Sequence, residues 1–379
     1  MNYVVIAIDS FKGSLSSLAA GQVASDAVRE VFPQAHVEIF PLADGGEGTV
    51  DTLVEGLQGQ IVPAVVTGPL KSPVRSRYGF VAERKLAVIE MADAAGLPMV
   101  PEEKRNPLQT TTYGLGELIL QAIDAGCRDF IIGIGGSATN DCGLGMLTAL
   151  GWKFLKGDGT AAGICGGNLS EVAAIDGSQA DVRLKECRFR IACDVTNPLY
   201  GPNGCSAIFG PQKGATPEMV KALDAAVHHF ADLAEKELGG LGAAVPGAGA
   251  AGGLGFAFQT FLGGELTPGT ELCLETIGIR QALEKADLLL TGEGRMDRQT
   301  AMGKGPAGVA RLAHALNAKI KTVAVCGCAL PDAELVNRYG IDAYFPILHM
   351  PMTAAEAMAE KNTRQNLRQT VMQIMRLVK

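Results

Sequence analysis

Apolar positions along this chain follow two periods, and the switches between them mark its elements. A near-continuous apolar run at Val4–Ile8 predicts a strand buried on both faces. Apolar residues at helical spacing over Ser16–Val31 predict an amphipathic helix, with Ser14 or Ser16 as N-cap. His36–Phe40 predicts the next strand, and the turn LADGGEGT leads into a helix ending near Leu57. From Gln60 to Glu90 the period becomes strand-like, with strands near Ile61–Val66, Val74–Val81 and Leu86–Glu90 joined by short turns. Helix–strand alternation then returns: a helix near Tyr113–Ala125, a strand at Asp129–Ile134 and a helix near Cys142–Leu150. A strand near Arg188–Cys193 and a long helix near Pro217–Leu238 follow, before a glycine- and alanine-rich stretch with buried-type neighbours Phe256, Phe258 and Phe261. The last hundred residues read as strand Asp287–Thr291, helix Gly305–Leu316, strand Lys321–Val325, a short helix, strand Ala343–Pro346 and a closing helix.

Both ends are thus regular β-α units, and the middle is not. This predicts an α/β protein of two domains. Residues 1–58 and 280–379 form one discontinuous, Rossmann-like, three-layer parallel sheet, and 59–279 form an inserted mixed α/β domain. A length of 379 residues agrees with more than one core.

Composition narrows the partners. Hydrophobic residues make up 47% and aromatics only 5%, with 48 glycines, which suits a wound sheet with tight strand-to-helix turns. Net charge is -7 and no Lys/Arg block occurs, so nucleic acid is not an expected partner. No uncharged run reaches the roughly 18–20 residues of a spanning helix, and the N-terminus lacks the pattern of a secretory signal. A cytoplasmic protein with free thiols is expected, since the nine cysteines are odd in number and form no CxxC pair. The five histidines lack zinc-ligand spacing.

Ligands of open α/β sheets bind beyond the carboxyl ends of strands, so the turns there carry the candidate chemistry. Asp9-Ser10-Phe11-Lys12-Gly13-Ser14 combines a carboxylate, hydroxyls and a cation before a helix N-terminus, a set suited to a small anionic or phosphorylated ligand. Asp44-Gly45-Gly46-Glu47-Gly48-Thr49 offers hard oxygen ligands for Mg2+. The run Gly133–Asp141, with Gly135, Gly136, Ser137 and Asn140, matches G-x-G-x-x-A and has Asp158 twenty residues past Ala138. Asp194, after strand Arg188–Cys193, stands where a metal ligand or base would. Gln212 and Lys213 lie near a helix start in FGPQKGA. Thr291 to Gln299 reads as a turn dense in charge, with Gly292, Glu293, Arg295, Asp297 and Arg298, and runs on to Lys304 and Gly305. No P-loop, protein-kinase set or G-x-S-x-G elbow is present. Acids and cations among glycines fit phosphoryl transfer, which needs positioning, a metal and charge neutralisation more than a covalent nucleophile.

The ordered set DSFKGSLS, PLADGGEGT, GGSATNDCG, CDVTNPLYG, FGPQKGA, PGAGAAGGLGF and LLTGEGRMDRQTAMGKGP resembles the bacterial type 1 glycerate kinase family. The resemblance implies two α/β domains with a cleft between them and phosphorylation of D-glycerate by ATP with Mg2+, giving 2-phospho-D-glycerate. It implies substrate contacts from Ser10, Lys12, Asp44 and Arg295. Nucleotide contacts would come from Gly135, Gly136, Ser137, Asn140, Gly292, Glu293 and Lys304, and magnesium would sit on Asp44 or Asp194. Asp297 or Asp194 would act as base, and Arg295 or Lys304 would neutralise transition-state charge, with Lys12 among the catalytic groups. A homodimer is compatible with it. Cys142 departs from the expected glycine or other small residue. The competing reading is an NAD-dependent oxidoreductase of small hydroxy acids, resting on Gly133–Ala138 plus Asp158.

Overall fold

The computed structural model describes residues 1–240, 242–303 and 305–379. Contacts divide the chain into two units, one of Met1–Asp44, Glu55–Gln58 and Gly269–Lys379, the other of Gly45–Val54 and Gly59–Pro268. This division differs from the sequence boundaries at 45–54 and 269–279.

The first unit holds a five-stranded parallel sheet. In chain order its strands are β1 (Tyr3–Ile8), β2 (His36–Ile39), β11 (Leu288–Met296), β12 (Lys321–Ala329) and β13 (Ala343–Pro346), arranged β13-β12-β11-β1-β2. Val4 pairs with Leu288 on one side of β1 and with Val37 on the other. Successive side chains of a strand face opposite sides, and here both sides are covered. Val4, Ile6 and Ile8 pack with Ala20, Ala24 and Val28 of the helix Ser17–Val31 and with Leu367, Val371 and Ile374 of the closing helix Glu360–Leu377. Val5, Ala7 and Leu289 pack with Leu283, Val309 and Ala313 on the other face. Burial on both faces explains the uninterrupted apolar run at 4–8. Ser16 is the N-cap of the first helix, accepting from the Ala19 amide at 3.2 Å. Two helices of this unit, Gly269–Ile277 and Arg280–Lys285, lack a counterpart in the sequence reading.

The second unit carries a six-stranded mixed sheet of β3 (Gln60–Thr67), β4 (Pro73–Val81), β5 (Leu86–Glu90), β6 (Asp129–Gly133), β9 (Arg188–Ala192) and β10 (Glu265–Thr267), ordered β10-β9-β6-β5-β4-β3. β3, β4 and β5 are antiparallel, and β5, β6, β9 and β10 run parallel. Helices Tyr113–Asp124, Pro217–Leu238 and Leu254–Leu262 supply much of its apolar core, including Leu118, Phe230, Phe256 and Phe258. A short antiparallel hairpin, β7 (Lys153–Leu155) with β8 (Ala174–Asp176), stands apart from that sheet.

Residues 45–50, after Asp44, belong to the second unit and meet its sheet at the carboxyl end of β5 and β6. Buried Glu90 accepts the Gly48 amide at 3.1 Å and the Val50 amide at 2.9 Å. Gly133 is required there, because a Cβ would stand 2.5 Å from the Gly45 carbonyl oxygen. Cys142 has a positive φ of 48°, the conformation for which glycine is the default.

Candidate functional site

In the first unit the crossovers run one way from β1 to β2 and the other way from β11 to β12 and β13. The switch lies between β1 and β11, and ligands of such sheets sit at the carboxyl edge there. That edge opens into a cavity of about 810 Å3. Asp9, Ser10, Phe11, Lys12 and Ser14 enter from beyond β1, Asp44 from beyond β2, and Glu293, Gly294, Arg295, Asp297, Gln299 and Thr300 from β11 and its sequel.

The charged segment after Thr291 is a strand, not the turn expected from its glycines. β11 runs through Gly292-Glu293-Gly294-Arg295-Met296, and Glu293 pairs with Cys326 and Arg295 with Cys328 of β12. Gly292 permits this approach, since a Cβ would lie 2.1 Å from the Val325 carbonyl oxygen. The Asp9 amide donates to the Gly292 carbonyl at 2.8 Å, tying the loop after β1 to the same strand.

Two carboxyls on this floor are held far from their solution behaviour. Burial pushes the Asp9 carboxyl up to about 6, against the Ser10 amide that donates to it at 2.6 Å, while Asp44 adds to the rise and Lys12 opposes it. Burial pushes the Glu293 carboxyl up to about 7, and Asp9, Asp297 and Asp44 push the same way. The Thr300 hydroxyl donates to Glu293 Oε1 at 2.5 Å and opposes that rise. Asp297 serves as N-cap of the single turn Arg298–Ala301, accepting the Gln299 amide at 2.8 Å. Its carboxylate also lies 3.3 Å from exposed Arg295. Like charges gathered at one edge disfavour full ionisation unless a cation joins them.

The structure brings Ser10, Lys12, Asp44, Glu293, Arg295 and Asp297 together around this one cavity. Gly292 lies in the same strand, and Lys304 falls outside the described residues. Asp9, which the sequence reading gave no role of its own, is the addition; an acid directly after a buried strand was its only signal. Asp194 does not line the cavity: it follows β9 in the second unit and is exposed. Among the described residues no three His, Cys, Asp or Glu side chains group to hold a metal by themselves. Mg2+ in phosphoryl transfer needs only one or two carboxylates, because substrate oxygens and waters complete its shell, and Asp44 with Glu293 fits that donor set.

The loop Gly133–Asp141 belongs to the second unit. Gly135 and Gly136 are exposed, and Gly136 has a positive φ of 73°. Ser137 and Asn140 point to internal partners: Ser137 Oγ accepts from Lys213 Nζ at 2.8 Å, and the Asn140 amide donates to Ser206 Oγ at 3.1 Å. Asp141 is fully buried and accepts the Thr112 amide and hydroxyl, each at 2.8 Å. Asp158 accepts the Thr160 amide and hydroxyl in an exposed turn following β7. A ribose-binding acid would stand at the end of a neighbouring parallel strand. The antiparallel β7–β8 hairpin supplies none, so the dinucleotide reading has no support.

A parallel sheet with mutually repelling carboxyls and two cations at its switch point defines an α/β phosphotransferase of small anions. The chain belongs to the glycerate kinase family, whose profile matches residues 4–379, and it is a kinase enzyme. It is 50% identical over 345 residues to the glycerate kinase of Bacillus subtilis (strain 168), covering 91% of this chain and 90% of that one. It is 47% identical over 354 residues to the glycerate 2-kinase of Escherichia coli (strain K12), covering 93% and 92%. The crystal structure of a Salmonella typhimurium LT2 protein described as a glycerate kinase 2 superposes with a TM-score of 0.91 at 43% identity, covering 100% of this chain and 98% of that chain. No helix among the described residues is long and apolar enough to cross a membrane.

Proposed function

We propose that this kinase transfers the γ-phosphoryl group of ATP to the 2-hydroxyl of D-glycerate, with Mg2+ as the required ion. The observation that carries the reading is the edge of the first unit, where Asp9, Asp44 and Glu293 meet Lys12 and Arg295 in one cavity. The 47% identity to a glycerate 2-kinase supports the choice of hydroxyl.

Asp9 takes the role of base in this reading. Its carboxyl titrates near 6, so at neutral pH it is ionised yet basic enough to receive a hydroxyl proton. Asp297 is the weaker candidate because its carboxylate already caps a helical turn and faces Arg295. Asp44 and Glu293 are the magnesium ligands of the first unit in this reading, and Asp194 is a separate candidate ligand within the second unit. Lys12 and Arg295 hold the glycerate carboxylate by charge-assisted contacts, with Ser10 supplying a hydroxyl, and Arg295 also neutralises charge as the phosphoryl group moves. Bound magnesium would neutralise phosphate charge and lower the mutual repulsion of the acids. The loop at Gly135 and Gly136 takes phosphate oxygens.

The test is a coupled assay of ATP consumption with D-glycerate, L-glycerate and hydroxypyruvate, followed by phosphorus NMR of the product. ATP consumption with D-glycerate and a 2-phospho product supports the reading. A 3-phospho product overturns the regiochemistry, and no turnover with any three-carbon acid overturns the function.

A further inference from the structure

The second unit buries a cation that no carboxylate neutralises. Lys213 follows the short helix Cys205–Phe209 in the segment Phe209–Ala215, and only 1% of it is exposed. Its ammonium donates to Ser137 Oγ at 2.8 Å and to the Thr139 carbonyl at 2.6 Å. Both partners are neutral oxygens of the loop Gly133–Asp141. No Asp or Glu pairs with it among the described residues, since Asp141 is occupied by Thr112 and the amides of Gly143 and Gly145. A buried ammonium without a counterion is costly to keep, and such groups cluster at functional sites.

The loop that Lys213 holds is open at its glycines. Gly135 and Gly136 are exposed, a Cβ on Gly135 would meet nothing within 4 Å, and one on Gly136 would meet only Ala92 at 3.7 Å. The left-handed Gly136 gives one half of a backbone nest, an anion-binding concavity of amides. We infer that Lys213 is a positioning residue for this loop, holding its amides in the nest and supplying from beneath the positive charge that draws the polyphosphate of the nucleotide. The inference rests on the reading of Gly133–Asp141 as the phosphate loop. Lys213 never touches the ligand; it acts through Ser137 and Thr139 and through its field in a low-dielectric interior.

Burial also holds the Lys213 ammonium down at about 8, opposed by Cys205 of the preceding helix and by Asp141 at the end of the loop. The cation is therefore present below that value and lost above it. Nucleotide affinity should fall as pH rises from about 7.5 to 9, where Lys213 discharges.

The experiment is calorimetric titration of the full chain with a non-hydrolysable MgATP analogue across that pH range, for wild type and Lys213→Met, beside steady-state KM for ATP and for glycerate. Wild-type affinity should drop by up to about tenfold across the range, the order expected when one unit charge acting through a low-dielectric interior is lost. Lys213→Met should start at the weakened value and stay flat, with the KM for glycerate unchanged. A wild-type affinity that is flat with pH, or a Lys213→Met protein with wild-type nucleotide affinity, overturns the inference. If Lys213→Met does not fold, the wild-type titration decides alone. If the wild type consumes no ATP with glycerate, the proposed function fails, while calorimetry still reports whether Lys213 governs polyphosphate binding.

Discussion

Glu90→Gln should make the protein more stable at pH 8 while leaving it almost unchanged at pH 4. Glu90 closes β5 and is 5% exposed, and its Oε1 accepts the amides of Gly48 and Val50. Glutamine keeps that oxygen and both contacts, so the substitution removes the charge alone. Burial pushes this carboxyl from 4.5 up to about 7; the Val50 amide and Arg77 oppose the rise, and Asp93 and Asp51 add to it. A carboxyl whose folded value is raised binds its proton more tightly folded than unfolded. Its favourable contribution is complete below about 4.5 and is lost as pH rises through about 7. A rise of about 2.5 units at 1.36 kcal/mol each gives up to about 3 kcal/mol of penalty at pH 8. Urea unfolding by circular dichroism at pH 4, 6 and 8 would read this as a midpoint gain for Glu90→Gln that grows with pH. An equal effect at all three values, or a loss at pH 8, would refute the buried-charge argument.

Four further outcomes follow from the same geometry. Asp9→Asn should lower kcat by about 10²- to 10⁴-fold, while its melting temperature at neutral pH should hold or rise, because the raised carboxyl is ionised there at a cost to the fold. Wild-type kcat/KM should fall as pH drops through about 6, because the base works only when ionised; a profile flat to pH 5 would remove Asp9 from that role. Thr300→Val takes away the hydroxyl that donates to Glu293, so Glu293 should titrate still higher and stability fall by about 1–2 kcal/mol, checked by pH-dependent thermal melts. Gly133→Ala should destabilise the protein by roughly 1–3 kcal/mol in chemical unfolding, since its Cβ would meet the Gly45 carbonyl at 2.5 Å.

Most regular elements were legible because burial writes its period into the chain. Val4–Ile8 reads as a two-sided strand since helices cover both faces, and Tyr113–Asp124 reads as a helix since one stripe packs inward. Long-range pairing leaves no such local trace. Gly292–Met296 has the composition of a turn and becomes a strand only because β12 lies alongside it, Arg295 against Cys328. The same blindness affects the site. Asn140 and Asp141 have the residue types of ligand contacts, yet they face Ser206 and Thr112 inside the second unit. Nothing in GPQKGA tells that Lys213 is buried while Lys12 is exposed. Side-chain direction in a loop depends on what packs behind it.

The strand that anchors the first unit also sets a timetable for synthesis. β1 takes its neighbour β2 from the next forty residues, but its other neighbour arrives only at Leu288. As the chain leaves the ribosome, β1 waits with one edge unpaired while the whole of Gly59–Pro268 emerges. The nascent chain therefore has a long interval in which an apolar edge strand is open to wrong partners. Early completion of the second unit, whose sheet is built wholly from residues 60–267, shortens the reach over which β1 must find β11.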